Sequence, residues 1–432
     1  MSGNARTSRR SVLKSIGATS LGTLGYAAAG PSPVVAAGEP VFMQYFHEKW
    51  PTVEDDIPTI ADVGYDAIWI QNPCKCKLDW SDQSGRNDPP LGYQPVDFRT
   101  FDSAFGTESD LQSLIDTAHS YGVEVYLDTV MNHMASGYDY DFPAFSYNDF
   151  HHDVGSIDDW SDPHQVKHGE LLGLPDLAQD VNHNGSNYGD YVRSQLKNYM
   201  DKMASVGADG HRFDAVKHIY DYFWDDHAVP WADNNGMFKV GEVYSGSVDY
   251  VQNYVDTGMH AFDYPLFFNG ISSAFDYGDM SSLKATGLTE QDPYHSCPFV
   301  DNHDKDAPPQ YELAYAYATT IEGYPVHYNL YPDWLLGNSN INNMVWVKKN
   351  LAGGETYWRH SSNDLLVYER YNNLLVGLNN NTSNWKSEWV YTSWNSTTLH
   401  DYSGNASDIS TDGNGWVQIS VPPEGWVFYA PY

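Results

Sequence analysis

Four stretches of the chain set acidic side chains among partners that suit acid–base chemistry. Gly210-His211-Arg212-Phe213-Asp214 places an arginine and an aspartate two residues apart. In an extended strand those two side chains share a face. An aspartate facing an arginine stays ionised, as a nucleophile must. Glu242 lies in Gly241-Glu242-Val243, and Asp304 ends the run Phe299-Val300-Asp301-Asn302-His303-Asp304. The fourth stretch is Asp128-Thr129-Val130-Met131-Asn132-His133. If such carboxyls converge, their repulsion raises the pKa of at least one and leaves a protonated acid near neutrality. A protonated acid beside an ionised carboxylate is what glycosidic bond cleavage requires. Singly, each aspartate at a strand end is more often a turn or cap residue than a catalyst. The combination is what argues for chemistry.

The elements that must position these groups are short apolar runs alternating with amphipathic stretches. Eight runs read as strands: Val41–Phe46, Ala67–Ile70, Val123–Val130, Gly210–Ala215, Val240–Val243, His260–Pro265, Phe299–Asp301 and Gly323–Tyr328. Between them, Ser109–Ser120 and Tyr191–Val206 carry apolar residues at helical spacing. The alternation predicts an α/β fold, a (β/α)8 barrel whose active groups sit at the C-terminal strand ends. From His133 to about Asp180 the chain is rich in Asp, His, Gly, Pro and Tyr and has no period. A structureless loop of that length is improbable, so an inserted domain is expected, held by something other than a large core. After about Gly353 the pattern alternates in strands Leu365–Arg370, Leu374–Asn379, Val417–Val421 and Trp426–Tyr429, which predicts a C-terminal antiparallel β-sandwich. The expected division is a leader over 1–37, a barrel over 38–133 and 181–353, the insertion over 134–180, and the β domain over 354–432.

Taken in order, these stretches resemble the α-amylases of glycoside hydrolase family 13. Asp128 to His133 is similar to the family's first signature, Gly210 to His218 to the second, Gly241-Glu242-Val243 to the third, and Phe299 to Asp304 to the fourth. Leu174-Pro175-Asp176-Leu177 is similar to the region near the end of the family's inserted domain, and Gly92-Tyr93-Gln94-Pro95 to the loop after strand 2. The resemblance covers nearly all of the chain beyond the leader. It implies a retaining mechanism in which Asp214 is the nucleophile, Glu242 the general acid and then base, and Asp304 the stabiliser of the oxocarbenium-like transition state. It implies that Arg212 orients Asp214, that His133 and His303 hold the sugar at the cleaved bond, and that Tyr93 stacks on it with Gln94 nearby. Lys217 and His218 would line the leaving-group side.

The same resemblance implies a Ca²⁺ ion pinning the insertion to the barrel. Asn132 and Asp176 would give side-chain oxygens, and Lys167 and His218 backbone carbonyls. Hard oxygen donors suit Ca²⁺ rather than zinc. Some members bind chloride through a second arginine on strand 8; the corresponding Gly323-Tyr324-Pro325-Val326-His327 has none. Lys305-Asp306 after Asp304 is a further departure.

The N-terminus, Arg9-Arg10-Ser11-Val12-Leu13-Lys14 followed by a short Gly- and Ala-rich apolar run, reads as an export signal of twin-arginine type, with the working chain starting near Gly38. The expected location is outside the cell. Asp plus Glu number 57 against 23 Lys plus Arg, a net charge of −34. Such a surface repels nucleic acid and anionic membranes and excludes both as partners. It also predicts adaptation to concentrated salt, where the Debye length falls to about 3 Å at 1 M. The three cysteines form no disulfide scaffold; they read as free thiols, or as one bridge to Cys297. Aromatic residues make up 15%, which suits stacking on sugars. A monomer that hydrolyses internal α-1,4 bonds of starch or a similar glucan is therefore expected. The alternatives are a maltooligosaccharide-forming amylase, a glucan transferase, or a non-catalytic glucan-binding protein.

Overall fold

The computed structural model describes residues 39–84, 87–180, 188–330 and 335–432. The proposed leader over 1–37 lies outside the described residues.

Eight parallel strands form the central sheet: β1 Phe42–Phe46, β2 Ala67–Ile70, β3 Glu124–Thr129, β4 Gly210–Phe213, β5 Phe238–Gly241, β6 His260–Phe262, β7 Ser296–Cys297 and β8 Val326–Leu330. β8 pairs with β1, so the sheet curls back on itself. The seam between β7 and β8 closes through Tyr324 N to Ser296 O (2.8 Å), Val326 N to Pro298 O (2.9 Å) and a parallel bridge from Phe299 to Val326. The fold is thus a near-closed (β/α)8-type barrel. Its strands are buried on both sides, which is why they read as continuous apolar runs.

Sequence and structure differ most at the seventh strand. The expected Phe299–Asp301 holds only the isolated bridge at Phe299, and the ladder lies earlier at Ser296–Cys297. Pro298 has no N–H to give to the sheet and splits the run. The fourth strand stops at Phe213 because Ala215 turns left-handed at φ 50°.

Helices on the outer layer follow local chemistry. α1 (Trp50–Val63) buries Trp50, Val53, Ile57 and Ile60 and ends at Gly64, whose φ of 107° allows its N–H to reach Ile60 O. α2 (Glu108–Ser120) starts at a Thr107–Asp110 capping box and buries Leu111, Leu114, Ile115 and Ala118. Each such aliphatic side chain contributes about 1.5–3 kcal/mol on burial. After the insertion come α4 (Tyr188–Ser205), α5 (Val229–Asn234), α6 (Val248–Val255), α7 (Tyr311–Thr320) and α8 (Ser339–Asn350).

Within 134–180 the chain contains short helical turns and one longer helix, α3 (Pro163–His168). Three isolated bridges tie it together: His133 to Asp176, Phe150 to Leu177 and Ser156 to Glu170. Buried Phe142, Phe145 and Phe150 also pack ring against ring, with centroids 5.6–6.3 Å apart, and join the main core. The segment therefore has an aromatic core that its polar composition concealed.

The C-terminal strands are β9 Thr356–Ser361, β10 Leu365–Arg370, β11 Leu374–Asn379, β12 Lys386–Tyr391, β13 Thr398–Asp401, β14 Ile409–Ser410, β15 Trp416–Val421 and β16 Gly425–Pro431. Six form an antiparallel sheet in the order β9-β10-β11-β16-β13-β14, and β12 pairs with β15 as a second ribbon. Val367, Leu375, Val390, Ile419 and Val427 fill the space between the two layers. At Gly377 on β11 a Cβ would meet Ile419, Val421 and Val427 at 2.8–3.0 Å, so the layers close over a residue without a side chain. All three cysteines are free thiols. No helix among the described residues is long and apolar enough to cross a membrane.

Candidate active site

The C-terminal ends of β3, β4 and β5 bring three carboxylates around one guanidinium. Asp128 and Arg212 face each other across the β3–β4 register. Arg212 Nη1 donates to Asp128 Oδ1 at 2.8 Å and to Asp214 Oδ1 at 2.6 Å. Its Nη2 lies 3.2 Å from Glu242 Oε2. Asp128, Arg212, Asp214 and Glu242 are all buried. The arginine is further held under Trp69, 4.8 Å from its ring centroid.

One buried cation cannot neutralise three carboxylates, so one acid must keep its proton. Burial pushes the Glu242 carboxyl up to about 8; Arg212 pulls it down, and the charges of Asp214 and Asp304 push it up again. Burial likewise lifts Asp128 to about 6 despite Arg212. Glu242 is fixed from two sides. The Ala215 N–H donates to its Oε2 at 2.9 Å, and Tyr264 Oη lies 3.4 Å from its Oε1. The left-handed turn at Ala215 aims that N–H, and a non-glycine residue so placed carries strain of about 1–2 kcal/mol.

The other expected residues fall around this centre. Tyr93 Oη donates to Asp128 Oδ2 at 2.7 Å, and its ring stacks on His303 at 5.1 Å with the planes 7° apart. His303 also touches Gln44 Nε2 through Nδ1 at 2.9 Å and lies 3.4 Å from Asp304 through Nε2. Burial pushes His303 down to about 4, so the ring is neutral near pH 7. His133 is buried, its pKa lowered by burial, with Nε2 3.0 Å from Tyr93 O. Gln94 keeps its Oε1 buried and unpartnered. Asp304 stands at the edge: its side chain is 45% exposed, and its backbone N–H donates to Asn302 Oδ1. Its charge nevertheless reaches Glu242 and Tyr264.

A cavity of about 260 Å³ is lined by Trp160, Lys217 and Tyr244 among others, and the charge of Glu242 reaches Lys217 at its wall. Lys217 Nζ donates to Tyr244 O at 3.2 Å and lies over the rings of Trp160 and Tyr244. His218 Nδ1 donates to Val166 O at 2.9 Å, with burial pushing its pKa down to about 3.

Two of the proposed cation donors, Asn132 and Asp176, come together where Leu177 N donates to Asn132 O and His133 bridges to Asp176. Asn132 Oδ1 and Asp176 Oδ1 are both buried without a hydrogen-bond partner. Buried oxygens of that kind call for a ligand. The Lys167 side chain reaches the backbone on either side of His218, with Nζ donating to Lys217 O (2.6 Å) and Ile219 O (2.8 Å), and His218 Nδ1 returns a bond to Val166 O. An all-oxygen set drawn from the barrel and the insertion fits Ca²⁺.

Sequence reasoning missed several partners. Trp69, Gln44 and Tyr264 hold the centre from positions that no local pattern marks, and Asp128 and Ala215, though inside marked stretches, receive no role of their own from them. Asp128 had one available signal, its place on the strand face opposite Arg212. His151 was also missed: it bridges Asp176 (2.6 Å) and Asp180 (3.0 Å).

A parallel barrel with an arginine-bridged carboxylate cluster at its C-terminal mouth defines a class, the barrel-type glycoside hydrolases. The alpha amylase catalytic-domain profile matches residues 49–306, and the alpha-amylase C-terminal profile matches 374–430. The chain belongs to the alpha amylase catalytic-domain family. An alpha-amylase of Aeromonas hydrophila is 32% identical over 297 residues, 58% of this chain and 60% of that protein. A cyclomaltodextrin glucanotransferase of Paenibacillus macerans is 28% identical over 400 residues, 78% of this chain and 55% of that one. The chain thus spans about half the length of the curated relatives it matches. The solved alpha-amylase of Geobacillus thermoleovorans, complexed with acarbose, superposes with a TM-score of 0.75 at 22% identity, covering 90% of this chain and 97% of that one. That likeness shows a shared fold.

Proposed function

We propose that this chain hydrolyses internal α-1,4-glucosidic bonds of starch-like glucans with retention of configuration. The observation that carries the reading is the Arg212 guanidinium joined to Asp214 and Glu242, with Glu242 driven up to about 8 by burial. Asp214, held against an arginine, attacks the anomeric carbon. Glu242, protonated at neutral pH, gives its proton to the departing oxygen and later takes one from water. Asp304 at the rim stabilises the oxocarbenium-like transition state and holds sugar hydroxyls, and Asp128 with Tyr93 keeps Arg212 in place. His133, His303 and Gln94 bind the sugar at the cleaved bond, and Tyr93 stacks on it. Lys217 and His218 contact the leaving side, next to the 260 Å³ cavity.

Asn132, Asp176 and the carbonyls of Lys167 and His218 hold Ca²⁺, which when bound fastens the insertion beside the cleft. We assign 38–133 and 181–353 to the barrel, 134–180 to the insertion and 354–432 to the β domain. Residues 1–37 serve as a twin-arginine leader that sends the protein out of the cell, and the charge of −34 adapts it to high salt. It acts as a monomer.

A second reading is glucan transfer, favoured by the 400-residue alignment to a cyclomaltodextrin glucanotransferase. Product analysis on a defined maltooligosaccharide separates the two. Mixed shorter sugars released as the α-anomer are expected; cyclic or lengthened products would favour transfer, and β-anomers would overturn retention. Asp214→Asn should lower the turnover number by roughly 10⁴-fold. Wild-type cleavage by that variant would remove Asp214 from the mechanism.

A further inference from the structure

A second cluster of ligating side chains lies beside the oxygen set assigned to Ca²⁺ and shares no donor atom with it: His168 follows Lys167 and stacks at 3.9 Å on His151, which meets Asp176. Asp153, His164 and His168 present one carboxylate and two imidazole nitrogens whose atoms all lie within 4.8 Å of one another. His164 and His168 are four apart on α3 and so project from the same helix face. His164 Nε2 is 2.8 Å from Asp153 Oδ2, and His168 Nδ1 is 3.2 Å from both Asp153 oxygens. Ligands about 2.0–2.1 Å from a tetrahedral zinc stand about 3.3 Å from each other, so small adjustments would admit an ion at the point where the three converge.

The surroundings favour that use. His168 Nε2 lies 3.2 Å from Tyr220 Oη. When that nitrogen donates to the hydroxyl, the Nδ1 lone pair turns toward Asp153, the outer-shell arrangement that orients metal-bound histidines. Asp153 and His164 are open to solvent, at 40% and 53% side-chain exposure, while His168 is 10% exposed. An ion can therefore enter, and a fourth position is left for water. Two nitrogen donors and one carboxylate suit a borderline cation and do not suit Ca²⁺.

We propose that Asp153, His164 and His168 bind one transition-metal dication of the zinc type, which staples α3 to the 153 loop. The same helix supplies Val166 O to His218 and the Lys167 ammonium to the 217–219 backbone, so the staple would brace the leaving-group side of the cleft.

The test uses the full chain, stripped with chelator and reloaded with excess Ca²⁺ to fill oxygen sites. Titration with ZnCl₂ by calorimetry should give one equivalent per chain, and Zn²⁺ should raise the melting temperature. His164→Ala and Asp153→Asn, both at exposed positions, should weaken Zn²⁺ binding by more than roughly tenfold while keeping the wild-type circular dichroism. Absence of Zn²⁺ binding to the wild type, or unchanged affinity in both variants, overturns the proposal. Zinc retained by His164→Ala but lost in His168→Ala would put the ion in the neighbouring His151–His168–Asp180 group and would equally overturn it.

Discussion

Glu242 concentrates the residue-scale argument. Its ordinary pKa is 4.5, and burial raises it to about 8 in the folded chain. Between those values the folded state holds a proton that the unfolded chain releases. Stability from this group is therefore full below 4.5 and is lost as pH rises through about 8. The same proton is the one the leaving oxygen needs, so turnover should fall across the same upper range. Glu242→Gln should lower the turnover number by about 10²–10⁴-fold. It should also flatten the decline of melting temperature between about pH 5 and 8, because the amide carries no charge to bury. Melting curves and rate profiles over that range check both outcomes. A variant that lost activity but melted with the wild-type pH slope would take the proton off Glu242.

At the scale of elements, the insertion is the part whose order depends on more than its own packing. It has an aromatic core around Phe142, Phe145 and Phe150, yet Asn132 Oδ1 and Asp176 Oδ1 sit beside it buried and unpartnered. Leaving buried oxygens unmatched costs about 1–3 kcal/mol each. Chelation with EDTA should therefore lower the melting temperature and abolish activity, with Ca²⁺ restoring both. A melting curve indifferent to prolonged EDTA would argue that His151, which already meets Asp176 at 2.6 Å, does the compensating alone. The barrel strands make no such demand, since their ladders satisfy each other through the register from β8 around to β7.

Charge governs the whole molecule. With 57 acidic and 23 basic residues, repulsion acts on every part of the surface. Raising the salt from millimolar to molar shrinks the Debye length to about 3 Å and removes most of that repulsion. The melting temperature should accordingly rise steadily with NaCl over that interval. A flat series would show that repulsion among the surplus acids costs the fold little, and would withdraw the high-salt reading.

Much of the design was legible in the residue order, and the limits are physical. Strand and helix periodicity is a local property, so the barrel, the helices α2 and α4 and the four expected C-terminal strands follow from spacing alone; the seventh strand moved because Pro298 breaks the ladder. The types of the reacting groups, Asp214, Glu242, Asp304 and Arg212, are also written into short stretches. What no stretch contains is distance. Only closure of the barrel brings Asp128, Asp214 and Glu242 onto one guanidinium, and only the burial that follows drives Glu242 far above its ordinary pKa. The left-handed Ala215, the Tyr93–His303 stack and the orphaned oxygens of Asn132 and Asp176 likewise exist only after remote segments meet. Chemical identity travels with the chain, whereas electrostatic environment is set by everything packed around it.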